Sequence, residues 1–233
     1  MANLTGNERA SYVQNMFTRI APHYDLMNRL MTFGQDMRWR RIVIEKAAIP
    51  MDGSVLDLGT GTGDIALAIQ AARPDAKPTA ADFTYEMMHV GRDRPGGRAL
   101  PWNCADALNL PYASERFNSV VSGFLMRNVT DLNRAIQEQM RVIIPGGRVV
   151  VLDTTRPTQN LLTPFIKIHL NHVIPTLGKL ITGEADAYTY LPDTTKEFLS
   201  AETLAVRMRD AGLKDVGYKR VMFGTIAIHW GTK

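Results

Sequence analysis

From Ser54 onward, apolar runs of strand length alternate with segments of helix length, and no other feature of this chain narrows its fold so far. SVLDLG is followed by DIALAIQAA, KPTAADF by TYEMMHVGR, then RALPWNCAD, and FNSVVSGFLM by LNRAIQEQMRVI before GGRVVVLDTT. Buried strands alternating with helices at this spacing predict βαβ units on a parallel sheet. Ahead of them, Tyr12, Met16, Phe17 and Ile20 recur at helical spacing, and Trp39, Ile42, Val43 and Lys46 repeat it. Residues 1 to about 50 are therefore expected to form amphipathic helices, interrupted at Ala21-Pro22-His23. Beyond Pro157 an irregular helical segment is expected to about Ile181, then a polar loop and the helix AETLAVRMRDAG. The last run, KDVGYKRVMFGTIAIHWGT, is split by Gly224 into a strand pair expected to be antiparallel.

The chain has 233 residues, 45% of them hydrophobic and 21% charged, which suits one large domain and excludes a disordered chain. Lys+Arg 27 against Asp+Glu 23 leaves a formal charge of +4, too small a surplus to point to nucleic acid. A single cysteine, Cys104, excludes an internal disulfide and any cysteine-rich metal site, and no metal is expected. Glu8 and Arg9 arrive early with no apolar core around them, unlike a secretory signal. No stretch approaches the ~20 apolar residues of a spanning helix. A cytoplasmic protein is expected, one that at most rests on the inner membrane surface.

Val55-Leu56-Asp57-Leu58 runs into Gly59-Thr60-Gly61-Thr62-Gly63-Asp64, a buried strand entering a glycine-rich turn ahead of a helix. Glycine lets backbone N–H groups approach a ligand closely. The dinucleotide fingerprint GxGxxG would need glycine where Asp64 stands, so the spacing is wrong for NAD. GxGxG preceded by an acidic residue, Asp57, resembles instead the first motif of the S-adenosylmethionine-dependent methyltransferases, and a carboxylate there suits the cationic amino acid end of that cofactor. Asp82 ends the next strand about 20 residues on, the distance at which a carboxylate takes ribose hydroxyls. Its plainer alternative is a helix cap. Asp106 follows the third strand in Cys104-Ala105-Asp106-Ala107-Leu108, placed to accept from an adenine amino group. Three acidic strand ends in register favour one ligand over three unrelated caps.

These residues resemble the quinone-biosynthesis C-methyltransferases of the UbiE type, which methylate demethylmenaquinol or the ubiquinone precursor benzoquinol. The resemblance covers nearly the whole chain. It takes in Tyr24-Asp25-Leu26-Met27-Asn28, Phe33-Gly34, Trp39, the glycine loop, Ala81-Asp82-Phe83 and Asp106-Ala107. It continues through Arg127-Asn128-Val129-Thr130-Asp131, Arg141-Val142, Pro145-Gly146-Gly147-Arg148, Tyr190-Leu191-Pro192 and Ile226-Ala227-Ile228-His229. It implies an α/β fold, the Rossmann-like class I S-adenosylmethionine-dependent methyltransferase. That fold has a seven-stranded, mostly parallel sheet with helices on both faces and strand seven antiparallel. A single domain over 1–233 would then divide into a helical lid (1–50), a cofactor-binding core (51–157), a helical substrate-side insertion (158–195) and a C-terminal helix and strand pair (196–233). The cofactor contacts expected on this basis are Asp57, Gly59, Thr60, Gly61, Thr62, Gly63, Asp82, Phe83, Asp106, Ala107 and Gly123. The sequence departs from the family at four places. Gly123 stands for a serine, leaving open whether Ser122 substitutes, while Asp36 replaces a histidine, Asp153 a glutamate and Ile144 a lysine.

A quinol ring carbon becomes nucleophilic when the adjacent hydroxyl loses its proton, so a donor or base at that hydroxyl matters more than a metal. The catalytic candidates are Arg127, Asp25, Asn128 and Tyr24. Arg127 is the candidate stabiliser of the phenolate, with a salt bridge at the end of the fourth strand as its structural alternative. Asp25 is a candidate proton acceptor, with a helix cap as its alternative. A stripe of Leu162, Phe165, Ile166, Leu170, Val173, Ile174 and Leu177 reads either as a packed helix or as a lid for a polyprenyl tail. The expected partner is a prenylated quinol, without nucleic acid; peripheral contact with a membrane and a homodimer stay open. A methyltransferase of another small aromatic acceptor and a non-catalytic S-adenosylmethionine-binding protein are the alternatives.

Overall fold

The computed structural model describes residues 6–156, 164, 168–182 and 198–233. Three helices come first: α1 (Gly6–Ile20), α2 (Tyr24–Met31) and α3 (Asp36–Ala47). The alternating region then gives β1 (Ser54–Leu58), α4 (Asp64–Ala72), β2 (Lys77–Asp82), α5 (Tyr85–Asp93), β3 (Trp102–Cys104), β4 (Phe117–Gly123), α6 (Leu132–Val142) and β5 (Ile143–Thr154). A π-helical turn (His169–Val173) leads into α7 (Ile174–Thr182), and α8 (Ala201–Asp210), β6 (Lys214–Val221) and β7 (Ile226–Thr232) close the chain.

The strands form a seven-stranded sheet of order β3-β2-β1-β4-β5-β7-β6. All pair in parallel except β7, which runs antiparallel to both β5 and β6. Both faces are buried, and neighbouring residues of a strand enter different cores. Val55, Val121, Val150 and Leu152 join Trp39, Val43, Ile65 and Ile69 on the face covered by α3 and α4. Leu56, Val120, Val149 and Val151 join Ile136, Leu204 and Met208 on the face covered by α6 and α8. That two-sided burial is why these strands read as unbroken apolar runs.

A third apolar cluster lies apart from the sheet. Met16, Ile20, Met27 and Met31 of α1 and α2 pack with Ile174 of α7, and Leu177 and Ile181 lie against them. Ile174 and Leu177 of the 161–180 stripe therefore pack on the N-terminal helices, while Val173 is exposed; Leu162, Phe165 and Ile166 lie outside the described residues. Asp131, read only as part of a family motif, caps α6 by accepting the Arg134 N–H at 2.9 Å.

Candidate active site

The carboxyl ends of β1, β2, β3 and β4 converge where the chain order reverses between β1 and β4, the ligand crevice of such sheets. A cavity of about 240 Å³ opens there, bordered by Gly59, Gly61, Asp82, Phe83, Asp106, Ala107 and Gly123 of the predicted cofactor set and by Tyr24 and Asn128. A smaller one of about 50 Å³ lies under the glycine loop against Asp57, Thr60 and Thr62, and Tyr24, Gly59, Gly61, Gly123 and Phe124 border both.

The loop is held by carboxylates. Asp57, 1% exposed, accepts from the Thr60 hydroxyl at 2.6 Å and the Ala66 N–H at 2.9 Å through Oδ2. Its Oδ1 is buried with no hydrogen-bond partner among the described residues, and burial pushes the carboxyl up to about 7. Asp82 accepts the Gly61 N–H at 2.7 Å and the Thr84 N–H at 2.7 Å, so it both steadies the turn ahead of α5 and borders the cavity. Gly61 reaches it with a φ of +57°, which glycine adopts at little cost. Asp106 accepts the Leu108 N–H at 2.9 Å and lies exposed at the far end. Gly63 borders neither cavity: a Cβ there would meet the Trp102 ring at 2.6 Å, so its place is set by packing.

Ser122 does not take over from the serine that Gly123 replaces. Side chains alternate along β4, and Ser122 is fully buried and borders neither cavity, whereas Gly123 borders both. A Cβ on Gly123 would meet only the end of the Ile65 side chain, at 2.9 Å.

The catalytic candidates divide. Tyr24 borders both cavities; burial raises its phenol, against a hydrogen bond from Asn28 and the Arg127 charge, which lower it. Asn128 borders the larger cavity and donates to the Phe124 carbonyl at 3.0 Å. Asp25 is no cap: His23 holds the cap position of α2, and Asp25 accepts from the Thr62 hydroxyl at 2.6 Å and pairs with Arg94 at 3.0 Å. Burial raises its carboxyl. Arg127 is buried, 3.2 Å from the Asp153 carboxylate and 5.0 Å from the Phe124 ring centre, and borders neither cavity. Asp153 also accepts the Arg127 backbone N–H at 3.2 Å.

Sequence reasoning missed an alternating chain of charges around this site. Arg94 pairs with Asp25 and Asp64, Asp64 with Arg40, Arg40 with Asp36, and Asp36 with Arg29. It ties α2 and α3 to the glycine loop and α4. Only the Asp36–Arg40 spacing of four residues on α3 signals it locally. Also missed were Val13, Gln14 and Phe17 of α1, which border the larger cavity, with Gln14 donating to the Phe83 carbonyl at 3.2 Å.

The donor set fits S-adenosylmethionine. A buried orphan carboxylate oxygen lies where a cationic amino acid end is to be held, and two further carboxylates border the cavity where ribose and adenine would lie. Fold and site together define an S-adenosylmethionine-dependent methyltransferase. The chain belongs to the ubiE/COQ5 methyltransferase family, whose profile matches residues 5–233. It is 48% identical over 221 residues to the ubiquinone/menaquinone biosynthesis C-methyltransferase UbiE of Desulfotalea psychrophila, covering 95% of this chain and 90% of that one. It is 40% identical to the demethylmenaquinone methyltransferase of Thermus thermophilus, covering 94% and 100%. Among solved structures, an S-adenosylmethionine-dependent methyltransferase of Thermotoga maritima superposes with a TM-score of 0.65 at 20% identity, over 94% of this chain and 99% of that one. That likeness is one of fold.

Proposed function

We propose that this enzyme methylates a ring carbon of reduced demethylmenaquinone, using S-adenosylmethionine, in the biosynthesis of a respiratory quinone. The observation that carries the reading is family membership across residues 5–233 together with relatives at 40–48% identity named for this reaction. The larger cavity supports it: Val13, Phe17, Phe124, Leu125 and Val129 give it an apolar wall suited to a prenylated aromatic ring.

When bound, S-adenosylmethionine supplies an electrophilic methyl group on a sulfonium. Asp57 would hold its amino acid end, Asp82 the ribose and Asp106 the adenine, with the glycine loop and Phe83 closing around them. Tyr24, at the junction of the two cavities, stays protonated because burial raises its phenol, so it donates to the acceptor's oxygen. Asn128, which also borders the larger cavity, orients the ring. Arg127 sits one layer back, behind Phe124, and stabilises the developing phenolate from there as a positioning residue. Asp25 holds the lid to Thr62 and borders neither cavity, so it would take the hydroxyl proton only through an intervening water.

The test is mass spectrometry of products formed with a methyl-labelled donor from demethylmenaquinol and, without reductant, from demethylmenaquinone. Label is expected on the ring carbon of the reduced acceptor alone. Equal turnover of the oxidised form, or label on oxygen, would refute the proposal.

A further inference from the structure

Helix α2 and its corner into α3 carry an apolar stripe on their outer side. Leu26, Leu30, Phe33 and Met37 follow one another at spacings of four, three and four residues, and each is at least 40% exposed, Phe33 as much as 68%. Met27 and Met31 fill the covered side of the same helix. Single exposed apolar residues are ordinary, but here Leu26 and Leu30 share one face of α2, Phe33 stands in the turn after it and Met37 lies on the first turn of α3, which concentrates exposed apolar surface at this corner. Phe33 has a φ of +52°, a left-handed backbone unfavourable for a bulky residue and one that asparagine accepts more readily. The surrounding charge is predominantly positive, with Glu45 beside Lys46 further along α3 the exposed acid nearest in the chain. The exposed charged residues within 21–44 are Arg29, Arg38 and Arg41, whereas Asp25 and Asp36 are less exposed and ion-paired. Arg29 also lies against the stripe, its Nη1 3.1 Å from the Met37 sulfur.

We propose that this corner docks on an anionic lipid bilayer, with Phe33, Leu26, Leu30 and Met37 entering the acyl boundary and the three arginines meeting phosphate headgroups. Among the described residues no helix is long and apolar enough to cross a membrane, so the contact is peripheral. The same helix carries Tyr24 against the cavities and Asp25 against the glycine loop. One side of α2 therefore meets the bilayer and the other the site. That this contact delivers a long-tailed quinol rests on the proposed function; the docking itself does not.

Flotation with phosphatidylglycerol–phosphatidylcholine vesicles and with pure phosphatidylcholine vesicles tests it. Wild type is expected to bind the anionic vesicles at least about tenfold more strongly, a preference that salt removes. Phe33→Asn and Leu30→Gln should each weaken binding about fivefold or more, with the thermal midpoint unchanged or, for Phe33→Asn, raised. Arg38→Gln with Arg41→Gln should remove most of the salt-dependent part. Activity on a tailless naphthoquinol in buffer should stay at the wild-type level in all of these variants, while methylation of the long-tailed acceptor in vesicles falls with binding. Equal binding to both vesicle types, unchanged binding in the stripe variants, or a wild-type dimer that Phe33→Asn makes monomeric would overturn the proposal. Failure of every form on the tailless quinol, with flotation as expected, would refute the proposed function and leave the docking supported.

Discussion

Asp57 is the proposed holder of the cofactor's cationic amino acid end, and its charge state tests that role. Burial pushes it up to about 7, and one of its oxygens has no partner among the described residues. A bound cation at that oxygen would draw the proton off, so affinity for S-adenosylmethionine should drop about tenfold between pH 8 and pH 6. Asp57→Asn should bind more weakly at pH 8 and lose that slope, as calorimetry at both pH values would read; an unchanged slope would place the cation elsewhere. Without ligand the sign for stability follows from the same shift. A carboxyl raised above its unfolded value contributes most below about pH 4, and that contribution is lost as pH rises through 7. Arg127 poses a different problem, because Arg127→Ala strands Asp153 in the core, at a cost of about 3–5 kcal/mol that would mimic a catalytic loss. The informative variant is Arg127→Met with Asp153→Asn, which removes the ion pair, keeps the volume and leaves an amide oxygen to accept the Arg127 backbone N–H. If Arg127 stabilises the phenolate, this double variant should fold with near wild-type stability and lose about 10²–10³ in kcat, with cofactor affinity kept. Wild-type turnover in the folded double variant would assign the arginine to structure alone.

At the scale of elements, the site depends on how α2 is fastened to the glycine loop. Arg94 closes α5 and donates to the Thr62 carbonyl at 2.9 Å while pairing with Asp25 and Asp64. These groups are partly exposed, so solvent screens them and each pair is worth little alone. Arg94→Met should therefore cost under about 1 kcal/mol in global stability yet loosen the lid, raising cofactor Kd about three- to tenfold. Limited proteolysis within α1 and α2 at saturating and zero cofactor would check it; a susceptibility unchanged by the substitution would show that the clasp does not hold the lid. This fastening was barely legible in the sequence. Asp64 read only as the residue that breaks a dinucleotide fingerprint, and its partners stand 24 positions before it and 30 after. Asp25 had the appearance of a cap, since aspartate near a helix start caps by default, and only the fold brings Thr62 within 2.6 Å of it. By contrast β1, the glycine loop and the acid at the end of β2 were readable, because strand, turn and carboxylate are consecutive or one βαβ unit apart.

Across the whole molecule, two kinds of packing coexist. The sheet is covered on both faces by long-range contacts, and its burial makes each central strand an uninterrupted apolar run that composition and spacing reveal. The N-terminal helices and α7 share a separate apolar cluster of methionine and isoleucine, and its unbranched methionine side chains adapt to many partners, so the pattern predicts a helix but not what it packs against. That cluster meets the sheet domain largely through polar contacts at the site: Gln14 to the Phe83 carbonyl, Thr18 to Glu86 at 3.1 Å, and Asp25 to Thr62. A cap joined to its base mainly by partly exposed hydrogen bonds should open well below the free energy of global unfolding. Amide hydrogen exchange should therefore show α1 and α2 exchanging by local opening while β1, β4 and β5 exchange only globally. S-adenosylhomocysteine at about a hundred times its Kd should slow exchange in α1 and α2 by up to about a hundredfold, the ~2.7 kcal/mol that mass action supplies. The β6–β7 edge, which contributes no residue to either cavity, should gain protection only in its globally exchanging amides. Equal protection of α2 and the sheet without ligand would mean that the two clusters open as one unit. The helices would then be part of the base, and cofactor entry would need another route.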